Sequence, residues 1–522
     1  MNDKTILTIM ALAGGIPGVQ AADNGSRMNV LLIMVDDMKP NLGCYGDPVA
    51  RTPHIDSLAA RGTVFLGNYC QQALSGPSRA SMLTGLRPDN VAVWNVEQIR
   101  EACPGVVTLP EYFLRNGYAT AGTGKVFDMR TVDEAGDGAS WSVPFENEFA
   151  YINPDYGRPM MGYQSAETKS AIRRATEAVG KMTLKGNRRS QYIKVHAAPA
   201  AECLDLPDDA YNDGAIAKSG IHLLEKLTRG TAPFFLAIGF KRPHLPFIAP
   251  RKYWDLYERD QIPLAPYQQK PVHAEECAFS PYMEILTYCD IPPLHSFSDI
   301  HENNGLITPE KQRELIHGYY ACISYVDAQI GLVLDALRRT GADKNTVVVL
   351  LGDHGWHLGD HGLWAKHTNF EQATHAPLII AVPRGKGMTT RGISEFVDLF
   401  PTLCSLAGIP VPEQVDGADL SQVILRGETP EKPFAVSQYI RSKGVMGYSI
   451  RDARFRYTVW FGNNYRTTKP YNAHDIVAVE LYDYGSDPEE RVNHASDPEY
   501  AAIRRTMHGL LLDHISRQTA RQ

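Results

Sequence analysis

The chain has 522 residues, 43% hydrophobic and 21% charged, a composition ordinary for a globular enzyme with a large core. At about 150 residues per domain, that length allows about two to four units. A net charge of −7 with a pI near 6.2 argues against nucleic acid as a partner, and an anionic substrate then requires a local basic pocket.

At the N-terminus Lys4 precedes an apolar run from Ile6 to Val19, and Val19-Gln20-Ala21 has the form of a cleavage site. Residues 1–21 read as a secretory signal peptide, too short to span a bilayer, so export is expected, to a periplasm. No cysteine follows this run, which argues against a lipid anchor. No other stretch approaches ~18 uninterrupted apolar residues, so no membrane span is expected. Eight cysteines are scattered without C-x-x-C or zinc spacing. An even count in an exported chain permits disulfides, but most of these cysteines read as buried small hydrophobes.

Asn29 to Val35 is a continuous apolar run, the pattern of a strand buried on both faces, and it ends in Asp36-Asp37. Adjacent carboxylates at such a strand end repel unless a cation offsets them, and they are hard oxygen ligands suited to Ca²⁺ or Mg²⁺. Residues 52–62 read as a short helix. In Ser75-Gly76-Pro77-Ser78-Arg79 a tight turn leads into a helix, with Ser78 a suitable start. Ser75 then lies at or just before a helix N-terminus, where an anion is favoured, and Arg79 faces the same side one turn on. An oxygen nucleophile beside an anion site suggests sulfuryl or phosphoryl transfer.

Residues 110–116 read as a helix and 118–125 as a small-residue strand ending at Lys125. Residues 139–215, rich in Asn, Gly, Pro, Tyr and charge, read as a long insertion bordering the cleft. A helix over 216–227 and a strand over 233–240 follow, the strand leading into Lys241-Arg242-Pro243-His244. Residues 262–305 are Pro-rich and irregular, and a long helix with a core stripe occupies 309–339. Thr346 to Leu351 is a second buried strand, ending in Gly352-Asp353-His354-Gly355, and 377–382 a third. The composition shifts near 425–435. Beyond it lie four short strands, in the regions 434–439, 448–451, 455–460 and 477–482, and a closing helix over 498–517. Strands that each end in charge on one face of a sheet are the layout of an active site, here Asp36-Asp37, Lys125, His244 and Asp353-His354. Three carboxylates with a neutral imidazole, an oxygen of residue 75 and a substrate oxygen make a six-coordinate site for a hard cation, Ca²⁺ being favoured.

S-x-P-S-R-x-x-x-L-T-G-x-R, from Ser75 to Arg87, resembles the signature of the type I sulfatases. Further landmarks resemble that family: V-D-D at 35–37, G-x-Y-G-D at 43–47, T-P-H-I-D-x-L-A at 52–59 and G-K at 124–125. So do K-x-P-H at 241–244, D-H-G at 353–355 and W-A-K at 364–366. The resemblance implies an α/β, alkaline-phosphatase-like fold, with a large mixed, mostly parallel sheet flanked by helices. It divides the chain into the signal peptide 1–21, a catalytic domain over 27–430 and a smaller α+β subdomain over 431–522, with an antiparallel sheet and terminal helix. It also implies formylglycine at position 75, made from Ser by a Ser-type radical maturation enzyme, and Ca²⁺ held by Asp36, Asp37, Asp353, His354 and the converted Ser75. Arg79 would hold the formylglycine, and Lys125, His244 and Lys366 the sulfate.

One departure concerns the family's His two or three residues after the Lys of G-K. Here Val126, Phe127 and Asp128 follow Lys125, which leaves Asp128 as a replacement base or the role absent. Within the family, Q-Q-A-x-x-x-P-S-R at 71–79 and D-H-G-W-x-L-G-x-H-G-x-W-A-K at 353–366 are similar to the uronate 2-O-sulfatases. That implies a terminal 2-O-sulfated uronic acid, iduronate or unsaturated uronate, in heparan- or chondroitin/dermatan-type oligosaccharides. Arg242 and His357 are then candidates for the sugar carboxylate. The competing reading is a phosphohydrolase or phosphonate hydrolase of the same fold using unmodified Ser75. It needs a second metal site, for which no His/Asp set stands out. A third, a sugar-binding protein with a dead site, requires missing metal ligands, and all four are present.

Overall fold

The computed structural model describes residues 27–184, 186–280, 284–292, 307–466 and 473–519, so the expected signal peptide lies outside the described residues. In chain order the strands are β1 (Asn29–Val35), β2 (Thr63–Tyr69), β3 (Ala119–Gly124), β4 (Ala201–Leu204), β5 (Phe234–Phe240), β6 (Phe247–Pro250) and β7 (Thr346–Gly352). They continue with β8 (Leu378–Ala381), β9 (Met388–Glu395), β10 (Ala435–Ile440), β11 (Met446–Arg451), β12 (Phe455–Phe461) and β13 (Ile476–Asp483). The helices that matter for the site are α1 (Ser75–Thr84), α2 (Ala166–Gly180), α3 (Asn187–Ala197), α4 (Asn212–Leu227), α5 (Pro309–Arg339), α6 (Leu399–Ala407) and α7 (Ala501–Thr519).

The main sheet has seven strands in the order β3-β5-β1-β7-β8-β2-β9. Only β8 runs against its neighbours, pairing antiparallel with both β7 and β2. The apolar run of β1 behaves as a strand buried on both faces should. Leu31, Ile33 and Val35 enter one core while Val30, Leu32 and Met34 enter the other, as a period of two requires. Helices α4 and α5 cover the first face, through Ile216, Leu223, Leu315 and Val326. Helices α1 and α6 cover the second, through Met82, Leu83, Phe400 and Leu403. By length and hydropathy α5 could cross a membrane, but 83% of that apolar window is buried inside the protein. It is a core helix.

Strands β10 to β13 form an antiparallel sheet in sequence order, with Met507, Leu511 and Ile515 of α7 packed on one face. Trp460 and Tyr482 point the other way into the core of the main sheet, so the two sheets share packing. A buried ionic network reinforces the join. Glu395 accepts from both Arg87 terminal nitrogens (2.8 and 2.7 Å), from Lys432 Nζ (2.6 Å) and from the Val436 backbone N–H (2.8 Å).

Four strands escaped the sequence reading: β2, which contains Gly67, β9, polar along its exposed side, and the short parallel pair β4 and β6. The insertion over 139–215 also carries helices α2 and α3, with Ile172, Ala175 and Val179 at helical spacing in the core. All eight cysteines are free thiols, three of them buried. The Pro-rich stretch forms only short 3-10 turns where it is described, at 276–278 and 284–287.

Burial alone would raise the Glu395 carboxyl, but Arg87 and Lys432 outweigh it and hold it well below the usual range. Glu395→Gln leaves buried Arg87 without its carboxylate while Lys432 keeps Asp398, so a loss of about 3 kcal/mol is expected in urea unfolding at pH 7. A group depressed in the folded state stabilises above its unfolded pKa. The difference between variant and parent therefore narrows as the pH falls below about 4.

Candidate active site

The parallel strands β3, β5, β1 and β7 lie side by side, and the chain leaves them at Lys125, Lys241, Asp36 and Asp353. Every charged strand end picked out in the sequence therefore meets at one edge of the sheet, where the strands' carboxyl ends open a crevice. Close backbone approach builds this edge. Lys125 N–H donates to the Gly239 carbonyl (2.7 Å), and a Cβ on Gly239 would sit 2.0 Å from the Lys125 carbonyl oxygen. Only glycine fits there.

Asp36, Asp37, Asp353 and His354 are each at most 1% exposed. Asp37 adopts a left-handed φ of 59°. That costly conformation is held by its N–H donating to Asp353 Oδ1 (2.9 Å) and its carbonyl accepting from the Tyr319 hydroxyl (2.8 Å). Helix α1 begins at Ser75, three residues earlier than Ser78. Ser75 Oγ lies 3.1 Å from Asp36 Oδ1, 3.2 Å from His354 Nε2 and 3.4 Å from Lys125 Nζ. Ser78 instead donates its hydroxyl to the Asp353 carbonyl.

Arg79 is fully buried behind this group. Its Nε donates to Asp353 Oδ2 (2.9 Å), one terminal nitrogen to Asp36 Oδ1 (3.1 Å), and the other to the Lys125 and Val126 carbonyls. The fixed charge expected beside Ser75 thus acts by bracing two carboxylates. Lys125 Nζ donates to Asp36 Oδ2 (2.5 Å), and Lys366 Nζ to both oxygens of Asp37 (2.7 and 2.9 Å). Burial would raise Asp36, but Lys125, His244 and Arg79 together hold it well below the carboxylate range. Asp37 moves the other way, to about 6, because burial outweighs Lys366 and His244.

His354 shows what this arrangement needs. Its Nδ1 is 2.9 Å from the Gly355 carbonyl, a contact only an N–H can make, and burial lowers the ring's pKa to about 4. The ring is neutral, so Nε2 carries a bare lone pair. That lone pair faces Asp37 Oδ1 at 3.4 Å and Asp353 Oδ2 at 3.6 Å. Electron pairs gathered in this way repel unless a cation lies among them, and three carboxylates with one imidazole suit a divalent ion. Asp37, Asp353 and His354 can converge on one ion, as can Asp36, Asp37 and His244; the sets share Asp37.

A cavity of about 620 Å³ opens onto this floor, in the size range of small-molecule sites. Ser75, Lys125, Asp128, His244 and Lys366 line it. Asp128 is gripped by Arg130 Nε (2.9 Å) and a terminal nitrogen (2.6 Å). Burial would raise its carboxyl, but that grip and Lys125 pull it far down, so it is a weak base. The carboxylate-binding candidates do not reach the cavity. Arg242 is buried with its guanidinium on the His244 and Pro246 carbonyls and near Asp213, and His357 is fully buried with Nε2 on Thr368 Oγ1 (2.9 Å). Both side chains turn into the core.

Glu284 was missed. It lies 3.6 Å from His244 Nε2, 3.5 Å from Lys366 Nζ and 3.8 Å from Lys194 Nζ, and it comes from the Pro-rich stretch, which offers no periodic signal. Despite burial, His244 and Lys366 hold it ionised.

A serine at the head of a helix, an acidic metal cradle and a cationic cavity define a hydrolase of sulfuric or phosphoric esters. Residues 28–409 match the Sulfatase family, and the chain belongs to it: the enzyme is a sulfuric ester hydrolase. Residues 359–517 match the family described as N-sulphoglucosamine sulphohydrolase, C-terminal. The chain is 33% identical to iduronate 2-sulfatase of Mus musculus, over 95% of each chain. It is 27% identical to delta 4,5-hexuronate-2-O-sulfatase of Bacteroides thetaiotaomicron, over 95% of this chain and 90% of that one. Among solved structures, a protein in complex with its substrate D-glucosamine-2-N,6-O-disulfate superposes with a TM-score of 0.69 at 22% identity, over 95% and 99% of the two chains. Phosphonate monoester hydrolase of Agrobacterium radiobacter superposes with 0.68 at 24%, over 94% and 96%. These likenesses establish the alkaline-phosphatase-like fold.

Asp37→Asn removes a charge common to both ligand sets. Elemental analysis after dialysis should find bound divalent metal reduced about tenfold or more relative to the parent protein, whatever its activity.

Proposed function

We propose that the enzyme removes the 2-O-sulfate from a terminal uronic acid of glycosaminoglycan oligosaccharides, using formylglycine made from Ser75 and a Ca²⁺ ion. The observation that carries this reading is the placing of Ser75 Oγ between His354, Asp36 and Lys125 on the floor of a cavity lined by Lys125, His244 and Lys366. Similarity to two uronate 2-O-sulfatases supports the choice of sugar. Action outside the cytoplasm, on oligosaccharides presented there, fits the apolar N-terminal run.

A Ca²⁺ ion would be held by Asp36, Asp37, Asp353 and His354 and would supply positive charge beside position 75. Formylglycine at position 75, once hydrated, would supply the nucleophilic hydroxyl and a second hydroxyl for release of sulfate. The chain's own residues do the rest. Arg79 holds Asp36 and Asp353 in place from behind. Lys125 and Lys366 offset charge on the sulfate oxygens as it grows in the transition state. Burial would lower the Lys366 pKa, but Asp37 and Glu284 raise it far above the ordinary lysine value, so Lys366 keeps its proton. The leaving alkoxide therefore takes its proton from His244. His244 Nδ1 donates to the Leu245 carbonyl (2.7 Å), so Nε2–H of the imidazolium is the proton that the leaving group takes.

Two measurements follow. The tryptic peptide carrying Ser75, from protein made with a Ser-type maturation enzyme, should be lighter by two hydrogens in mass spectrometry. An unmodified Ser75 in protein that still cleaves phosphonate monoesters would support the unmodified-serine hydrolase reading, which the similarity in fold to the phosphonate monoester hydrolase favours. His244→Ala should lower kcat on a 2-O-sulfated disaccharide by about 10²-fold or more. On 4-nitrophenyl sulfate, whose phenolate leaves without a proton, it should do much less.

A further inference from the structure

One wall of the catalytic cavity belongs to neither sheet. Helix α3 contributes Asn187, Ser190, Gln191 and Lys194 to the lining. Their spacing of three, four and seven residues is that of a single helix face. The opposite face is anchored, since Ile193 and Ala197 are buried in the core and the helix packs on α2 and on the turn over Glu284–Thr287. Along the cavity-facing stripe, burial increases from exposed Asn187, Ser190 and Gln191 to half-buried Lys194. The stripe holds amide, hydroxyl, amide and ammonium, with no apolar side chain.

Lys194 is not neutralised by its neighbours. Glu284 is 3.8 Å away and shares its charge with His244 and Lys366, and the ammonium also lies 4.9 Å above the Tyr288 ring. Lys366 has Asp37 as its nearer partner, whereas Glu284 is, among the described residues, the one carboxylate near Lys194 and lies beyond hydrogen-bond distance, which leaves the Lys194 ammonium able to bind a further anion. Besides Lys194, the charged side chains lining the cavity are Lys125, Asp128, Arg130, Glu284 and Lys366, with the imidazoles of His244 and His367.

We propose that this face of α3 selects the substrate: Lys194 binds a second anionic group beside the sulfate being cleaved, and Asn187, Ser190 and Gln191 hydrogen-bond the sugar's hydroxyls. The inference rests on the sulfatase reading and adds the residues that would read the sugar. A ring carboxylate and a sulfate on the neighbouring sugar offer the same anionic chemistry.

The test is Lys194→Gln, which keeps the length and polarity of the side chain. Against an unsaturated 2-O-sulfated uronate–glucosamine disaccharide, KM should rise about tenfold or more with kcat little changed, the effect of losing one charge-assisted contact. KM for 4-nitrophenyl sulfate, which has no second anion, should not move. With the carboxyl-reduced disaccharide the variant should match the parent if the carboxylate is the partner. If the rise in KM instead requires a sulfate on the glucosamine, the sulfate is the partner. Calorimetry of the same disaccharides on Ser75→Ala protein, with and without Lys194→Gln, reads recognition without turnover. Weaker binding there sustains the inference even if the sulfatase chemistry fails. Unchanged affinity, or equal losses on the disaccharide and 4-nitrophenyl sulfate, overturns it.

Discussion

The fold is governed at its centre by the crowding of Asp36, Asp37 and Asp353 in a water-poor site at adjacent strand ends. Each carboxylate there pays a desolvation cost and repels the others, so the site exists only because cations converge on it from distant parts of the chain. Arg79 arrives from α1, Lys125 from the end of β3 and Lys366 from the loop after β7. Each is fixed by a main-chain element, so the sheet order and the helix that begins at Ser75 place the cations against the carboxylates. The neutral His354, facing oxygens with its lone pair, marks where side chains stop sufficing and a metal ion is required.

Much of this was readable in the sequence because it coincided with abrupt changes of pattern. Asn29–Val35 and Thr346–Gly352 are uninterrupted apolar runs that end in acids, and two-faced burial of parallel strands demands such runs. The pairing of β1 with β7 on one side and with β5, also fully apolar, on the other then brings the charged ends together. The parts that could not be read have no such contrast. β9 is an edge strand whose outward residues are polar, and β2 is broken by a glycine. Glu284 follows an irregular stretch and becomes a site residue only through tertiary contact. Arg242 shows the converse error, since it neighbours a site residue in sequence while its guanidinium caps local carbonyls.

The C-terminal sheet bears on the site as well as on stability. Tyr439 and Ile440 of β10 line the cavity beside His367, and the Arg441 guanidinium is 4.9 Å from both the Tyr439 and Trp460 rings. The network around Glu395 anchors the chain just before β10. A disturbance of that anchor reaches the cavity wall through a few residues of strand, so the rear of the molecule and its mouth are mechanically linked.

Ser75 is 2% exposed, closed in by its own helix, two carboxylate-bearing strand ends and Lys125. A small ester can reach it down the cavity, but the active site of another protein cannot close around its backbone. Any enzyme that oxidises this serine must therefore meet the segment around residues 75–87 as an extended chain, before the sheet and α1 have assembled. If Ser75 is converted as proposed, folding and chemical maturation would compete in time, and a copy that folded first would keep an ordinary hydroxyl.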